Sequence, residues 1–393
     1  MAPNTPPTPR QSAAAPLAAG AAGNDTVLIL GGGLMGLAVA HALACRGEAV
    51  RVLSRRRSEA AGFVAAGMLA PHAEGLAGDL LRLGQASLER IPAWVAAIEA
   101  DSELRCGLRP CGIVVPFRHQ DARDAYPTAA WGIPLDRAAL EREVESIGPE
   151  WRAGLLFGQD GQIDSRRLMR ALERACLRRG VRFEEGATVV ALLHQGRQLT
   201  GVRLQEAEGA EREARRVVLC CGAWSADLLP ELPIFPVKGQ MLSLQGPIGA
   251  LPRVVFGPGT YLVPREDGLV VVGATSEAEA GFHGGLTPAG QRQLENGLAA
   301  LVPEAARWPT MERWWGFRPC TPDEGPLLGA GPLDGLWLCC GHHRNGVLLA
   351  AISAEAVADQ VSQCRTTCCG TENEEANWLA NAFSWRRFQS ETR

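Results

Sequence analysis

The stretch VLILGGGLMGLAVA places three glycines in the pattern Gly31-x-Gly33-x-x-Gly36, directly after the apolar run Val27 to Leu30. This order predicts a buried strand, a tight turn and a helix from Gly36 to Arg46. The first glycine permits the turn, the second lets a pyrophosphate approach the backbone, and the third lets helix and strand pack closely. The motif therefore predicts a dinucleotide site, with phosphates held at the helix N-terminus.

The end of the next predicted strand, Val50 to Leu53, leaves the choice of dinucleotide open. An acidic residue there usually binds the ribose hydroxyls. This chain has Ser54, which can form one weaker hydrogen bond, and Arg55, which fits either a 2′-phosphate or a solvated surface. The glycines alone do not distinguish NAD, NADP and FAD.

Arg318 is a candidate for anion binding, because it follows Trp314 and Trp315 in an apolar setting. A buried guanidinium needs an anionic partner, and its planar fork suits both oxygens of a carboxylate. We therefore favour an anionic substrate over a surface ion pair for Arg318.

Composition limits the partners of the chain. The 393 residues are 46% hydrophobic, and 39 basic and 43 acidic residues give a net charge of −4. This balance argues against a nucleic-acid partner, and no apolar run reaches the roughly 20 residues of a membrane span. We expect two domains, a small-molecule ligand and a cytoplasmic protein. Residues 1–24 are interpreted as a disordered leader, with a transit peptide as the alternative.

The cysteines give no metal pattern. Cys220-Cys221 and Cys339-Cys340 each end an apolar strand-like run. Such residues act as small buried apolar groups, and spaced Cys/His pairs of a metal site are lacking. We expect no structural metal.

The remaining patterns predict an α/β fold with a discontinuous dinucleotide-binding domain and a second domain built on an antiparallel sheet. A helix that Asp164 or Ser165 can cap, and the strand patterns near 181–190, 217–221 and 336–340, return to the first domain. The second contains a hairpin around Glu266-Asp267-Gly268. The predicted ranges are 1–24 for the leader, 25–85, 155–230 and 320–362 for the dinucleotide domain, 86–154 and 231–319 for the substrate domain, and 363–393 for a C-terminal tail.

Together these segments resemble the FAD-dependent D-amino-acid oxidase superfamily, and within it the glycine oxidases of thiamine biosynthesis. The resemblance spans residues 27 to 361. The segments that carry it are ILGGGLMGLAVAHAL, AAGMLAPHAEG, VVLCCGAWSADLL, PVKGQMLSL, YLVPREDGLVVVGATSE, WWGFRPCTPDEGPLLG and GHHRNGVLLAAISAEAVADQV.

The resemblance implies a Rossmann-like domain of the glutathione-reductase type and noncovalent FAD, since Cys320 does not match the covalent attachment of some relatives. It implies oxidative deamination of glycine or other small amines to an imine and then glyoxylate, ammonia and hydrogen peroxide, with oxygen as the electron acceptor. Thiazole synthase is an implied partner, and a homotetramer an implied assembly. A relative acting on sarcosine or D-amino acids, or a dehydrogenase with another acceptor, remains the alternative.

The resemblance also assigns residues. Arg318 and Tyr261 are expected to bind the substrate carboxylate, with Arg344 near substrate and flavin. We do not expect His342 or His343 to be an essential base, because a neutral amine can lose its Cα hydrogen as hydride. A helix beginning near Gly346 would stabilise negative charge on the flavin. The expected cofactor contacts are Gly31, Gly33, Leu34, Met35, Gly36, Ser54, Arg55, Ala66, Gly67, Met68, Val189, Gly222, His343, Arg344, Asn345, Gly346, Val347 and Leu348.

Overall fold

The computed structural model describes residues 25–205, 210–363 and 374–389. The predicted leader 1–24 and the cysteines at 364, 368 and 369 lie outside these ranges. Within them, the chain builds one mostly parallel sheet and one mostly antiparallel sheet. This arrangement confirms the predicted α/β fold with a second sheet.

The parallel sheet has six strands among the described residues and contains the predicted Val27–Leu30 strand near its middle. That strand pairs in parallel with Val50–Ser54 on one side and Arg216–Leu219 on the other. All four of its residues are buried, as expected for a strand covered on both faces. The strand order is Leu327–Ala330, Leu336–Cys340, Arg216–Leu219, Val27–Leu30, Val50–Ser54 and Arg182–Glu185.

Four helices bury apolar faces in the core beside this sheet: Leu34–Cys45, Gly78–Ser102, Ser165–Arg178 and Gly346–Gln363. The first begins at Leu34 rather than at the predicted Gly36, because Gly33 already occupies the N-cap position. The third is capped as predicted by Asp164, whose carboxylate accepts hydrogen bonds from two backbone N–H groups at 3.0 Å.

Four predicted domain boundaries fall inside elements of the described chain. Those at 319/320 and 362/363 remove only the last residue of the strand Thr310–Cys320 and of the helix Gly346–Gln363, whereas two others cut deeper. The boundary at 85/86 cuts the helix Gly78–Ser102, whose residues Leu83, Ile91 and Ile98 pack into the core of the parallel sheet. The boundary at 154/155 cuts the strand Ala153–Phe157 of the other sheet. The apolar faces of these two elements determine which sheet each one joins. The change in composition along the chain, on which the predicted boundaries rest, does not.

The predicted C-terminal tail is partly folded. The helix Glu374–Ala382 places Leu379 in the core of the parallel sheet, and the backbone N–H of Leu328 donates to the carbonyl of Phe383 at 3.0 Å. Arg387 pairs with Asp323 at 2.7 Å. This segment therefore adds to the first domain.

The second sheet has eight strands among the described residues. Its predicted hairpin is confirmed, since Thr260–Pro264 pairs antiparallel with Leu269–Gly273. The helix Pro288–Leu301 covers one face through Leu294, Leu298 and Leu301. The strand order is Thr310–Cys320, Phe235–Gln245, Leu269–Gly273, Thr260–Pro264, Val254–Gly257, Ile113–Phe117, Ala153–Phe157 and Ile133–Leu135.

Smaller elements complete the described chain. The strands are Met68–Leu69 with Gly161–Gln162, and Val189–Gln195, Gln198–Leu204 and Glu211–Glu213. The short helices are Arg57–Glu59, Ala61–Val64, Gln120–Asp124, Ala129–Trp131, Arg137–Glu143, Gly222–Trp224, Ser225–Leu228, Ala278–Ala280, Ala305–Arg307 and Trp385–Phe388. Among the described helices, none has the length and apolar composition needed to cross a bilayer.

Candidate active site

A cavity of about 540 Å³ begins at the carboxyl ends of the parallel strands and extends to the antiparallel sheet. Ligands of open α/β sheets bind at this end of the strands. The lining includes Leu30 and Ser54 from two parallel strands, and Tyr261 and Arg318 from the other sheet. The cavity therefore joins the predicted phosphate-binding turn to the predicted anion-binding residues.

The three motif glycines are required for different reasons. Gly31 has φ +102°, and a Cβ there would lie 2.4 Å from the carbonyl oxygen of Cys220. A Cβ on Gly36 would lie 1.8 Å from the carbonyl oxygen of Gly31. A Cβ on Gly33 would meet only Ala60 at an ordinary 3.6 Å. The protein's own backbone thus explains Gly31 and Gly36, whereas Gly33 leaves space on the cavity side that suits an approaching pyrophosphate.

The end of the strand Val50–Ser54 carries polar groups but no carboxylate. Ser54 is buried and lines the cavity. Arg55 also lines it, pairs with Glu59 at 3.0 Å, and stacks its guanidinium 4.9 Å from the ring of Trp224. These contacts give Arg55 a structural role beside any contact with a cofactor.

Arg57 is a lining residue that sequence reasoning missed. Its guanidinium pairs with Glu173 at 2.8 Å and Glu185 at 2.7 Å, yet its buried Nη1 atom has no hydrogen-bond partner in the described protein. A buried donor of this kind costs free energy unless a further group satisfies it. Its only sequence signal is its place in the basic run after Ser54. The arrangement fits a polar nucleotide at this end of the cavity.

Two further glycine segments bring the backbone to the cavity. Gly67 has φ +83°, and its hydrogen faces the carbonyl of Ile163, where a Cβ would lie at 2.0 Å. Its neighbours Ala66 and Met68 also line the cavity. Gly222 has φ +56° with no protein atom within 4 Å of an ideal Cβ. Val189 completes this part of the lining.

The loop 341–347 reaches the cavity through His343, Arg344, Gly346 and Val347. The backbone N–H of His343 donates to the carbonyl of Pro319 at 2.8 Å, which ties the loop to the strand of Arg318. The helix Gly346–Gln363 then begins, so its first N–H groups lie beside the cavity.

Three predicted cofactor contacts do not line the cavity: Gly36, Asn345 and Leu348. Gly36 lies behind the turn, where it allows close packing. Leu348 is 1% exposed and belongs to the core of the parallel sheet. Asn345 is buried and its carbonyl accepts from Leu349 N–H at 2.9 Å, which forms the first turn of the helix. The helical period directs Leu348 into this core, whereas the buried Nδ2 atom of Asn345 has no hydrogen-bond partner among the described residues.

His342 is buried and His343 is partly buried, and both imidazoles are neutral near pH 7. Burial lowers the pKa of His342 to about 3 and that of His343 to about 4. The Nε2 atom of His342 lies 3.0 Å from the hydroxyl of Ser353 in the following helix. Imidazoles with such low pKa values are weak proton acceptors.

Arg318 and Tyr261 lie together at the sheet end of the cavity. The guanidinium of Arg318 crosses Gly239, where a Cβ would lie 2.4 Å from its Nη1, and donates to the carbonyl of Thr275 at 3.1 Å. No carboxylate of the described chain lies within 4.0 Å of it. Burial raises the pKa of the Tyr261 hydroxyl, which stays a neutral donor. The Tyr261 hydroxyl donates only to the weakly accepting sulfur of Met241, at 3.7 Å, and Arg318 has no carboxylate partner, so the pair can offer donors to an anion.

Arg344 is anchored by a residue that the sequence did not single out. Its Nε lies 2.8 Å from Oε2 of Glu74, and Glu324 lies 3.8 Å from its Nη2. Glu74 also lines the cavity and is 5% exposed at its side chain. Its only signal is its place in the AAGMLAPHAEG segment.

The described cysteines are free thiols. Cys220, Cys339 and Cys340 are buried as predicted, whereas Cys221 is only partly buried. Cys320 is absent from the cavity lining, and burial raises the pKa of its thiol to about 12. Among the described residues, His41, Cys45 and Asp101 form the one group with metal-ligand spacing. Arg179 holds that carboxylate at 2.7 Å, so a hydrogen-bonded cluster accounts for it.

Known proteins match this chain over nearly its whole length. The family model described as FAD dependent oxidoreductase (DAO) matches residues 26–360. The bifunctional protein ThiO/ThiG of Synechocystis sp. is 41% identical over 93% of this chain and 54% of its own length. The chain thus spans about half the length of such bifunctional relatives. The glycine oxidase of Pseudomonas aeruginosa is 31% identical over 86% of this chain and 95% of its own.

A solved structure matches as well. The crystal structure of glycine oxidase from Geobacillus kaustophilus superimposes with a TM-score of 0.82 and 27% identity, and covers 93% of this chain and 99% of its own. The arrangement of the sheets described above is therefore that of a known fold.

Proposed function

Because the chain belongs to the DAO family of FAD-dependent oxidoreductases, we propose that it oxidises glycine, and other small amino acids and amines, to the imine. Hydrolysis of the imine then gives glyoxylate and ammonia. The unpaired, partly buried guanidinium of Arg318, in the same cavity as the phosphate-binding turn, carries this proposal. Arg318 would bind the substrate carboxylate in the same cavity that would hold the flavin.

The lining residues fit FAD. Gly33 and the N-terminus of Leu34–Cys45 would hold the pyrophosphate, with Leu34 and Met35 alongside. Ser54 and the unsatisfied Nη1 of Arg57 would contact the adenosine end. When bound, FAD supplies a two-electron acceptor that oxygen reoxidises with formation of hydrogen peroxide. We also propose that the FAD is noncovalent, which the position of Cys320 outside the lining supports.

Arg318 and Tyr261 orient the substrate. The guanidinium binds both carboxylate oxygens, and the neutral Tyr261 hydroxyl donates a further hydrogen bond. Fixing the carboxylate would restrict the orientation of the adjacent Cα within the cavity that Ala66, Gly67 and Met68 also line. Their contribution is orientation rather than proton transfer.

The loop 341–347 supplies electrostatic stabilisation. The first N–H groups of the helix Gly346–Gln363 carry the positive end of its dipole beside the cavity. They would favour negative charge that develops on the bound cofactor. The neutral His342 and His343 support this stabilising and packing role rather than one as base.

Partners follow from the same proposal. The bifunctional ThiO/ThiG relatives combine two named activities in one chain. The family resemblance makes thiazole synthase the enzyme that would consume the glycine imine, and we propose it as a partner of this chain.

An anaerobic titration of the purified holoprotein tests the function. Glycine, sarcosine, D-alanine and D-proline are added separately, and bleaching of the oxidised flavin is followed. We expect glycine to bleach it efficiently, and air to restore it with stoichiometric hydrogen peroxide. A protein that glycine leaves oxidised is not a glycine oxidase. Bleaching that only a dye, and not oxygen, reverses indicates a dehydrogenase.

A further inference from the structure

Glu74 is a buried carboxylate at the cavity whose second oxygen is poorly satisfied. It follows the short strand Met68–Leu69 and precedes the helix Gly78–Ser102. The side chain is 5% exposed, and its Oε2 lies 2.8 Å from Nε of Arg344. The two groups are in charge contact, yet no N–H is aimed at this buried oxygen to form a hydrogen bond. Because Glu74 also lines the cavity, its carboxylate has hydrogen-bonding capacity left for a ligand.

The pairing with Arg344 does not explain why this carboxylate is buried. Arg344 is 44% exposed and has the surface carboxylate of Glu324 at 3.8 Å as a second partner. Burying a carboxylate beside a half-solvated guanidinium costs desolvation energy that a weak ion pair does not fully offset. A buried carboxylate that lowers the stability of the fold is a candidate for ligand binding.

The charges facing Glu74 are mixed. Arg344 and Arg318 favour its ionised form, whereas burial, Asp160 and Glu324 disfavour it, and the Tyr126 hydroxyl lies nearby. The sum raises the pKa of Glu74 to about 7, with burial as the largest cause. Near neutral pH the group can both hold a cation and accept a proton.

We propose that Glu74 binds the ammonium group of the substrate and accepts one proton from it. This inference rests on the proposed function, and it makes zwitterionic α-amino acids the preferred substrate class. Arg318 and Tyr261 take the carboxylate, and Glu74 takes the other charged end. The N–H bond of the ammonium breaks and an O–H bond forms on Glu74, which leaves a neutral amine and a neutral carboxylic acid.

The proton transfer has a chemical purpose. Loss of hydride from Cα leaves a cation that only a nitrogen lone pair can stabilise, and an ammonium group has no lone pair. The two histidines of the lining are too weakly basic to accept this proton. Of the two carboxylates beside Arg344, Glu74 is buried and Glu324 is exposed to water. The proton returns to water at the half-exposed Arg344 when the product leaves.

Binding of two probes to the Glu74→Gln holoprotein tests this proposal. Acetate binding is read from the perturbed visible spectrum of the flavin, and glycine binding from the saturation of its anaerobic reduction or, without reduction, from the same perturbation. We expect glycine to bind about 10- to 100-fold more weakly than to the wild type, as for a lost charged hydrogen bond. Acetate should bind at least as tightly as before, because it has no ammonium group.

Two control variants keep the test specific. Glu324→Gln also removes a carboxylate beside Arg344, but from an exposed position, and should keep the wild-type preference for glycine over acetate. Glu74→Asp retains the charge and should recover part of that preference. FAD content reports folding for all three proteins. If Glu74→Gln lacks FAD, the Glu74→Asp comparison decides: an unchanged preference for glycine in that variant contradicts the proposal.

The outcomes separate this inference from the proposed function. Equal weakening of glycine and acetate, or no change in either, contradicts a role of Glu74 in ammonium binding. A wild-type protein that prefers glycine over acetate through Glu74, but is not reduced by glycine, supports the inference and contradicts the proposed function.

Discussion

The two ends of the cavity differ in how their residues are explained. The phosphate-binding turn comes from one continuous segment. A side chain at Gly36 would clash with the carbonyl of Gly31, and one at Gly31 would clash with the carbonyl of Cys220, next to the neighbouring strand. The substrate end combines Glu74, Tyr261, Arg318 and Arg344 from separate segments. Among them, Oε2 of Glu74 has no aligned hydrogen-bond donor and Arg318 has no carboxylate partner within the described protein. Packing within the protein explains Gly31 and Gly36 in the turn. At the substrate end, incompletely paired groups lower stability, which fits a role in binding a ligand.

Substitutions in the turn should have the largest effects and should separate the glycines. Gly36→Val places a Cβ where the Gly31 carbonyl lies, so we expect loss of the folded domain. Gly33→Val has room within the protein and an extended backbone that valine tolerates, with φ −77° and ψ −172°. It should fold but lose FAD, because the side chain occupies the pyrophosphate position. Circular dichroism and flavin content distinguish the two results.

A yellow, fully loaded Gly33→Val protein would contradict the assignment of the turn. A Gly36→Val protein that folds and binds FAD normally would contradict the claim that the fold requires glycine at position 36.

Arg318→Ala should abolish most of the reaction with glycine while leaving the fold intact. Loss of a charged bidentate contact costs about 3–4 kcal/mol, which lowers kcat/KM by about 100- to 1000-fold. FAD content should stay at the wild-type level, since Arg318 faces the substrate end. Steady-state kinetics with glycine measures the effect, and unchanged kcat/KM would mean that the carboxylate binds elsewhere.

Glu74→Gln should stabilise the apoprotein above pH 7. Folding raises the pKa of this carboxyl group from 4.5 to about 7, so the native state favours its neutral form. The contribution of Glu74 to the free energy of unfolding is therefore fully present below pH 4.5 and is lost as the pH rises through 7. The neutral amide removes a penalty of up to about 3 kcal/mol. Urea unfolding at pH 6 and pH 8 should reveal a larger gain at pH 8, and a loss at both values would assign Glu74 a stabilising role.

Tyr261→Phe should have the smallest effect. It removes one neutral hydrogen bond to the carboxylate, worth about 1 kcal/mol, and leaves the ring packed against Phe256. We expect the apparent affinity for glycine to fall by about fivefold in anaerobic reduction experiments. An effect as large as that of Arg318→Ala would show that the hydroxyl does more than assist binding.

The sequence was sufficient where local rules determine the structure. The strand-turn-helix at Gly31 to Gly36, the cap at Asp164 and the hairpin at Glu266 to Gly268 follow from backbone conformation and period within a few residues. The positions of Arg318 and Tyr261 at one cavity were expected through the family resemblance, and the structure brings them together.

The rest depends on long-range packing that a local pattern does not encode. Glu74 and Arg57 were missed because their importance comes from burial without full pairing, which appears only after the chain folds. Leu348 was assigned to the cofactor because it follows the loop 341–347, but the first turn of the helix directs its side chain into the core. The helix Gly78–Ser102 crossed a predicted boundary because its apolar face matches the parallel sheet.

The central claim is that a flavin lies in this cavity with Arg318 beside its reactive end. A crystal structure of the holoprotein with bound glycolate tests it most directly. We predict FAD with its pyrophosphate at Gly33, and the glycolate carboxylate on the guanidinium of Arg318 next to the flavin ring. A nicotinamide dinucleotide in the cavity, or glycolate bound away from Arg318, would contradict the account.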